Sequence, residues 1–357
     1  MSGLVELFCE LVRIDSESGE EAAVIDHLKG LFERELGADC VLDGYGNLIA
    51  RVDALNSQAD TPILLGAHAD TVKPGKGIEP VVEDGVIRSA GETILGADDK
   101  AGIVEIFEAV RTAKRRPPVE IVITRQEETG LLGAKNLDRE KIRANMGFVL
   151  DGDDLDSIVI GGPTYIALDV EITGRAAHAG MEPEKGISAI RVAAKAIAAM
   201  PEGRIDEETT SNVGTIEGGM IRNGVPDKVT LRAECRSLNH DKCVRQAETM
   251  KQAFEEAAVE VGAKADVKLT TEFRASQISE DAPAVLAAKE AIAAIGLDAK
   301  AQVITGGTDA LVLNEKGIAA VVLGYGGREA HATQEHIAVA DMEKAVSVVG
   351  HLLAAFA

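Results

Sequence analysis

The chain has 357 residues, 46% of them hydrophobic, which is long enough for two globular domains and too apolar for a disordered polypeptide. Asp and Glu number 59 against 37 Lys and Arg, and with no basic stripe to offset a net charge of −22, nucleic acid is excluded as a partner. The longest apolar runs, such as residues 63–67, are far too short to span a bilayer, so no membrane is expected.

In chain order, Leu4, Leu7, Phe8 and Leu11 mark an amphipathic helix, without the basic start and long apolar stretch of a secretory signal. A helix is predicted over residues 20–36, with Ser18 as a candidate N-cap. Apolar runs at 48–52, 63–67, 119–124 and 147–150 predict strands, with a long loop and a helix over 101–114 between the second and third. Continuous apolar strands alternating with helices imply a parallel sheet covered on both faces. The pattern changes near residues 161–163. Residues 165–173 and 228–236 alternate apolar and polar, and helix patterns cover 187–200 and 242–261. Strand, helix, strand, strand, helix, strand describes a compact α+β unit with an antiparallel sheet. After about residue 272 the α/β rhythm returns, with helices over 282–295, 310–316 and 342–355 and strands over 301–304 and 319–323. The expected organisation is one α/β domain from residues 1–163 and 273–357, with a second domain, 164–272, inserted. Four cysteines (Cys9, Cys40, Cys235, Cys243) show no framework or metal spacing, which predicts a reducing, cytoplasmic setting.

Acidic and histidine clusters stand at or just after predicted strand ends: His68-Ala-Asp70, Gly96-Ala-Asp98-Asp99-Lys100, Glu127-Glu128 and Asp151, with His331 after the last short strand. The carboxyl ends of strands form the ligand crevice of an open α/β sheet. Zinc takes imidazole and carboxylate ligands, and a pair of zincs about 3.5–4 Å apart needs a bridging carboxylate with ligands on both sides. His68, Asp98, Glu128, Asp151 and His331 make such a set. Asp70 would accept the second imidazole N–H of His68, and Glu127 would stay unligated and act on water. Singly, each motif has a commoner structural explanation, as a surface pair, a solvated turn or a strand-end cap. Their joint order and placement point to metal. No Ser or Cys lies in a nucleophile turn such as Gly-x-Ser-x-Gly, which argues against a covalent hydrolase.

These motifs, with Glu335 following His331, resemble those of a di-zinc metallopeptidase family that includes peptidase T, glutamate carboxypeptidase, aminoacylase and succinyl-diaminopimelate desuccinylase. The stretch Gly96–Gly102, Gly306-Gly-Thr-Asp309 and Met342-Glu-Lys-Ala-Val346 are most similar to the peptidase T-like, tripeptidase branch, and the likeness spans essentially the whole chain. The resemblance implies an α/β catalytic domain with an inserted α+β lid through which a homodimer forms. It implies two zinc ions per chain, with cobalt or manganese as substitutes. Asp98 would bridge them, His68 and Asp151 would complete one site, and Glu128 and His331 the other. It further implies Glu127 as general base, a cis peptide at Asp98–Asp99, and His178, in Gly174-Arg-Ala-Ala-His178-Ala-Gly180, reaching a neighbouring subunit's site. Asn223 and Arg236 match positions that hold the substrate's carboxylate end. His27, His240, His336 and His351 read as structural.

In the family, Asp at the position of Asp151 accompanies aminopeptidases, and Glu accompanies deacylases and carboxypeptidases. The implied activity is therefore hydrolysis of amide bonds in small peptides, tripeptides or dipeptides with a free amino end. An N-acyl amino acid deacylase or carboxypeptidase remains the alternative. A non-catalytic metal-binding relative is a further one, against which Glu127 beside a full ligand set argues.

Overall fold

In the computed structural model, which describes residues 3–357, the apolar runs of the first half become neighbouring strands of one sheet. Val119–Thr124, Ile63–His68, Met146–Gly152 and Ala319–Gly324 run parallel in that order. Every residue of Ile63–His68 and Val119–Thr124 is buried, because both faces of the sheet carry a core. Leu65, Ile121, Phe148 and Val321 pack into one cluster with apolar residues of the helices Gly3–Val12, Ala22–Leu36, Ala97–Thr112, Pro283–Ala294 and Val339–Ala355. Leu64, Val122, Val149 and Val322 pack into another with Leu137, Ile142 and Leu313. Burying each such side chain contributes about 1.5–3 kcal/mol. A one-residue slip would exchange the two faces, so the register is tightly specified. Antiparallel strands flank this parallel centre: Leu48–Val52 and Asp39–Leu42 on one side, Ser157–Gly162 on the other. The expected α/β class with a mostly parallel sheet is borne out.

Two local expectations change. The helix after Ser18 is Ala22–Leu36, its N-cap position is Glu21, and the Ser18 hydroxyl donates to Asp70 Oδ2 at 2.7 Å instead of capping. The long loop before residue 97 contains a hairpin, Pro80–Glu83 with Val86–Ser89. Its turn is Asp84-Gly85, both at positive φ (50° and 78°), the conformation that an Asp-Gly turn supplies. His336–Ala338 pairs with Val86–Ser89 and with Gly327–Arg328, which anchors the loop bearing His331 at both ends.

The described residues divide into two compact units: the chain through Gly161 with Gln277–Ile304 and Thr308–Ala357, and Gly162–Ser276 with Thr305–Gly307. The second is a β-α-β-β-α-β unit. Its antiparallel sheet runs Gly203–Arg204, Thr209–Gly218, Lys228–Ser237, Thr164–Thr173, Lys264–Phe273. Thr164–Thr173 alternates buried and accessible residues. Ile166, Leu168, Val170 and Ile172 pack with residues of the helices Ala189–Ala199 and His240–Glu260. Gly203–Arg204 pairs only with Thr210 and Ser211, so residues 212–218 form a free sheet edge within this unit. Among the described residues no helix is long and apolar enough to cross a membrane.

Candidate metal centre

Three adjacent parallel strands end together, and their last residues supply the site. His68 closes Ile63–His68, Thr124 closes Val119–Thr124, and Asp151 lies at the end of Met146–Gly152. His68 is buried. Its Nδ1 lies 2.9 Å from the main-chain carbonyl of Asp70, so the proton sits on Nδ1 and the Nε2 lone pair is free to ligate. The Asp70 carboxylate is 3.6 Å from Nδ1 and is engaged elsewhere: Oδ1 accepts the N–H of Glu127 at 2.9 Å, and Oδ2 accepts the N–H of Glu128 at 3.3 Å. Tautomer control thus passes through the backbone of Asp70, while its side chain holds the Glu127-Glu128 turn.

Asp98 stands between the two imidazoles. Its Oδ1 is 3.1 Å from His68 Nε2, and its Oδ2 is 3.1 Å from His331 Nε2. Asp151 Oδ1 lies 3.5 Å from His68 Nε2, and Glu128 Oε1 lies 2.9 Å from His331 Nε2. Each imidazole therefore faces Asp98 and one further carboxylate. The peptide between Asp98 and Asp99 is cis. Ligand atoms of His68, Asp98 and Glu128 lie within 4.8 Å of one another, as do those of His68, Asp99 and Asp151. Sequence reasoning does not single out Asp99 as a site residue. Its Oδ2 accepts the His68 N–H at 3.2 Å, and its buried Oδ1 has no hydrogen-bond partner. A Cβ at Gly102 would stand 2.3 Å from that Oδ1 and 2.4 Å from the Leu150 carbonyl, which explains the glycine in the motif.

The charges call for cations. Burial and then the Asp98 and Glu128 charges raise Asp151 to about 6 against the pull of His68, and burial followed by the Asp151 charge pushes Glu127 well above the usual carboxylate range. Burial opposes protonation of His68, but the neighbouring Asp151, Asp70 and Asp98 carboxylates outweigh it and raise the imidazole well above its ordinary value. His331, facing the Asp98 and Glu128 carboxylates, is raised to about 10. Two imidazoles are thus drawn toward the charged form by the carboxylates that would otherwise face metal. Glu128 Oε1 is buried without a directional hydrogen bond although His331 Nε2 is close, as expected of two atoms that converge on a common ion. Imidazole and carboxylate donors in this number suit zinc, so the residues fit the implied metals.

Supporting groups extend beyond the motifs. Thr308 Oγ1 donates to Asp151 Oδ2 at 3.2 Å, and the buried Asp309 accepts from Thr124 Oγ1 at 2.5 Å, so the Gly306-Gly-Thr-Asp309 stretch holds two of the strand ends. Buried Glu21 accepts from Arg125 Nε and Nη2 at 2.9 and 2.7 Å and from the N–H of Gln126 at 3.2 Å, fixing the approach to Glu127.

The remaining predicted residues belong to the second unit. His178 and Gly224 pair in a short two-stranded antiparallel sheet, and the N–H of Ala179 donates to the Asn223 carbonyl at 2.9 Å, so His178 and Asn223 share one exposed corner. His178 Nδ1 accepts from the N–H of Gly180 and Met181 at 3.2 and 3.1 Å, which leaves the neutral ring's proton on Nε2, turned outward as a donor. Arg236 is half-buried. It lies 4.6 Å from the centre of the Tyr165 ring, binds both carboxylate oxygens of Glu234 and donates to the Thr305 carbonyl at 3.3 Å.

Residues 162–262 match the family model for a peptidase dimerisation domain of M20 type. The chain is 42% identical to the aminopeptidase PepT of Bacillus cereus ATCC 10987, over 98% of this chain and 97% of that one, with a TM-score of 0.88. It belongs to the M20 peptidase family. This M20 chain also resembles a tripeptidase from Staphylococcus aureus at 36% identity (TM-score 0.93; 99% and 97% covered) and the uncharacterized protein YqjE of Bacillus subtilis (strain 168) at 43% identity (97% and 96% covered). The resemblance to the peptidase T-like branch is borne out, and with it the expectation of a metallopeptidase.

Proposed function

We propose that this M20 peptidase is a di-zinc aminopeptidase that cleaves tripeptides or dipeptides bearing a free amino end. The observation that carries the reading is the Asp98 carboxylate, shared between the His68–Asp151 side and the Glu128–His331 side. The names of the aminopeptidase and tripeptidase relatives support the substrate class. His68, Asp98 and Asp151 would hold one zinc and Asp98, Glu128 and His331 the other, with cobalt or manganese as substitutes. When bound, the zinc pair supplies an acidified water and polarises the scissile carbonyl. Glu127 would take a proton from the attacking water and hand it to the leaving amine, a role suited to a carboxyl that burial pushes upward. Asp70 fixes the backbone of Glu127. His178, with its outward Nε2–H, donates to the developing oxyanion from the partner subunit, and Asn223 and Arg236 receive the carboxylate end of the substrate.

The homodimer is proposed to form through the second unit, whose free edge at 212–218 would otherwise stay unpaired. Ile216, Met220 and Ile221 on and beside that edge are 50%, 94% and 67% exposed. A cytoplasmic location accords with four free cysteines. The test is a panel of free-amine tripeptides and dipeptides, their N-acetyl forms and N-acyl amino acids, assayed after metal removal and reloading with zinc, cobalt or manganese. Fastest cleavage of free-amine tripeptides or dipeptides is expected. Preference for N-acylated substrates would make the chain a deacylase or carboxypeptidase. Metal uptake without hydrolysis of either class would make it a non-catalytic relative.

A further inference from the structure

One buried carboxylate grips the segment that carries Asp98. Glu335 is 2% exposed. Its Oε2 accepts the N–H groups of Leu95 and Gly96, both at 2.7 Å, and its Oε1 accepts the N–H of Asp98 at 3.0 Å. These three donors stand at the start of Ala97–Thr112, where backbone N–H groups have no partner within the helix. A charged acceptor makes such bonds short and strong. Glu335 also closes the turn that begins at Ala332, the residue after His331, through its own N–H to the Ala332 carbonyl at 3.0 Å. The same short loop therefore carries His331 and the seat of Asp98.

We propose that Glu335 is a positioning residue that sets Asp98 against both imidazoles and so determines the pairing of the two metals. This rests on the metal-centre reading above. Asp98 reaches His68 with one oxygen and His331 with the other, so displacing its backbone detunes both positions at once. Loss of a single ligand such as Asp151 would weaken chiefly one.

A purely structural role is separable because the chain carries a matched control. Glu120 is also 2% exposed and also collects main-chain donors, the N–H of Arg143 at 2.9 Å and of Ala144 at 2.9 Å. It lies near the start of Val119–Thr124, at the opposite end of that strand from Thr124.

The experiment titrates metal-free wild type, Glu335→Gln, Glu335→Asp and Glu120→Gln with cobalt(II). Absorbance gives affinity, electron paramagnetic resonance reads magnetic coupling of the pair, and thermal melting monitors the fold. Glutamine places an NH₂ group against a main-chain donor, so Glu335→Gln is expected to bind cobalt about 10–100-fold more weakly and to lose the coupled signal. Glu120→Gln is expected to melt earlier while titrating like wild type. If Glu335→Gln does not fold, Glu335→Asp carries the test, since a side chain one methylene shorter cannot span all three donors and should weaken both cobalt positions. Wild-type affinity and coupling in the folded Glu335 variants overturn the inference alone, as does an equal metal loss in Glu120→Gln. A wild type that takes up no coupled pair overturns both the inference and the metal-centre reading.

Discussion

Oδ1 of Asp70 accepts the backbone N–H of Glu127 at 2.9 Å. The bond couples the strand end that carries His68 to the turn that carries the proposed base, and the Ser18 hydroxyl braces it from behind through Oδ2. Asp70→Asn would turn an NH₂ group toward one of these donors. The expected outcome is a loss of about 10–100-fold in kcat, with Ser18→Ala giving a smaller loss in the same direction. Steady-state kinetics beside metal analysis checks it. An Asp70→Asn enzyme with wild-type kcat would show that the bond does not position Glu127.

Glu127 and Glu128 are neighbours with different proposed roles. Glu127→Gln should lower kcat by about 10²–10⁴-fold while both metals stay bound. Glu128→Gln should lose metal, since a neutral amide is a poorer ligand for the ion facing His331. Elemental analysis of the two purified variants separates the roles, and the reverse pattern of metal loss would show that they are exchanged.

The metal-free protein should respond to pH through its imidazoles. His331 is raised from 6.5 to about 10 by Asp98 and Glu128. A group whose folded pKa is raised contributes stability that is full below its unfolded value and is lost as pH rises through the folded one. The metal-free protein is therefore expected to lose thermal stability between pH about 6.5 and 10, and the loaded protein to lose less of it, because ligation replaces the proton. Metal uptake near neutral pH should release protons and tighten as pH rises. Calorimetric titration in buffers of different ionisation enthalpy reads that release directly, and a value of zero would remove the imidazoles from the ligand set.

His178 presents Nε2–H as a donor because Nδ1 is occupied by two backbone N–H groups. If it serves the partner's site, His178→Ala should lower kcat by about 10²–10³-fold with metal content unchanged. Mixing His178→Ala with Glu127→Gln under proven subunit exchange should restore activity, since only a mixed dimer contains a site with both groups intact. No recovery, or an active monomer by light scattering, would place His178 outside the partner's chemistry.

The central strands and the candidate ligands at their ends are legible because a strand buried on both faces reads as a continuous apolar run, and the residues at the end of such a run lie at the crevice. His68 and Asp151 stand out that way, whereas Asp98 opens the helix Ala97–Thr112 and is marked by its motif. Glu335 was visible only as part of a motif, since its bonds to Leu95, Gly96 and Asp98 span 240, 239 and 237 residues and leave no periodic trace. Thr308 and Ser18 are short hydroxyl residues that serve caps and turns as readily as ligands, so their bonds to Asp151 and Asp70 appear only in three dimensions. The hairpin at 80–89 did carry a local signal, Asp84-Gly85, but the runs beside it are half exposed and only four residues long. The sequence pairs Asp70 with His68 but cannot distinguish its side-chain oxygens from its main-chain one, which lies nearer Nδ1, at 2.9 Å against 3.6 Å.

Ala319–Gly324 lies between Met146–Gly152 and Ser157–Gly162, two strands made much earlier in the chain. During synthesis the ribosome releases the outer strands long before the one that belongs between them. Until then the nascent sheet has an apolar slot where Val321 and Val322 will sit, an exposure of the kind that recruits chaperones or drives aggregation. The strand that fills the slot is succeeded within a few residues by His331. A fragment that stops before it lacks the middle of its sheet and a proposed metal ligand together, so a truncated chain is expected to have no residual hydrolase activity.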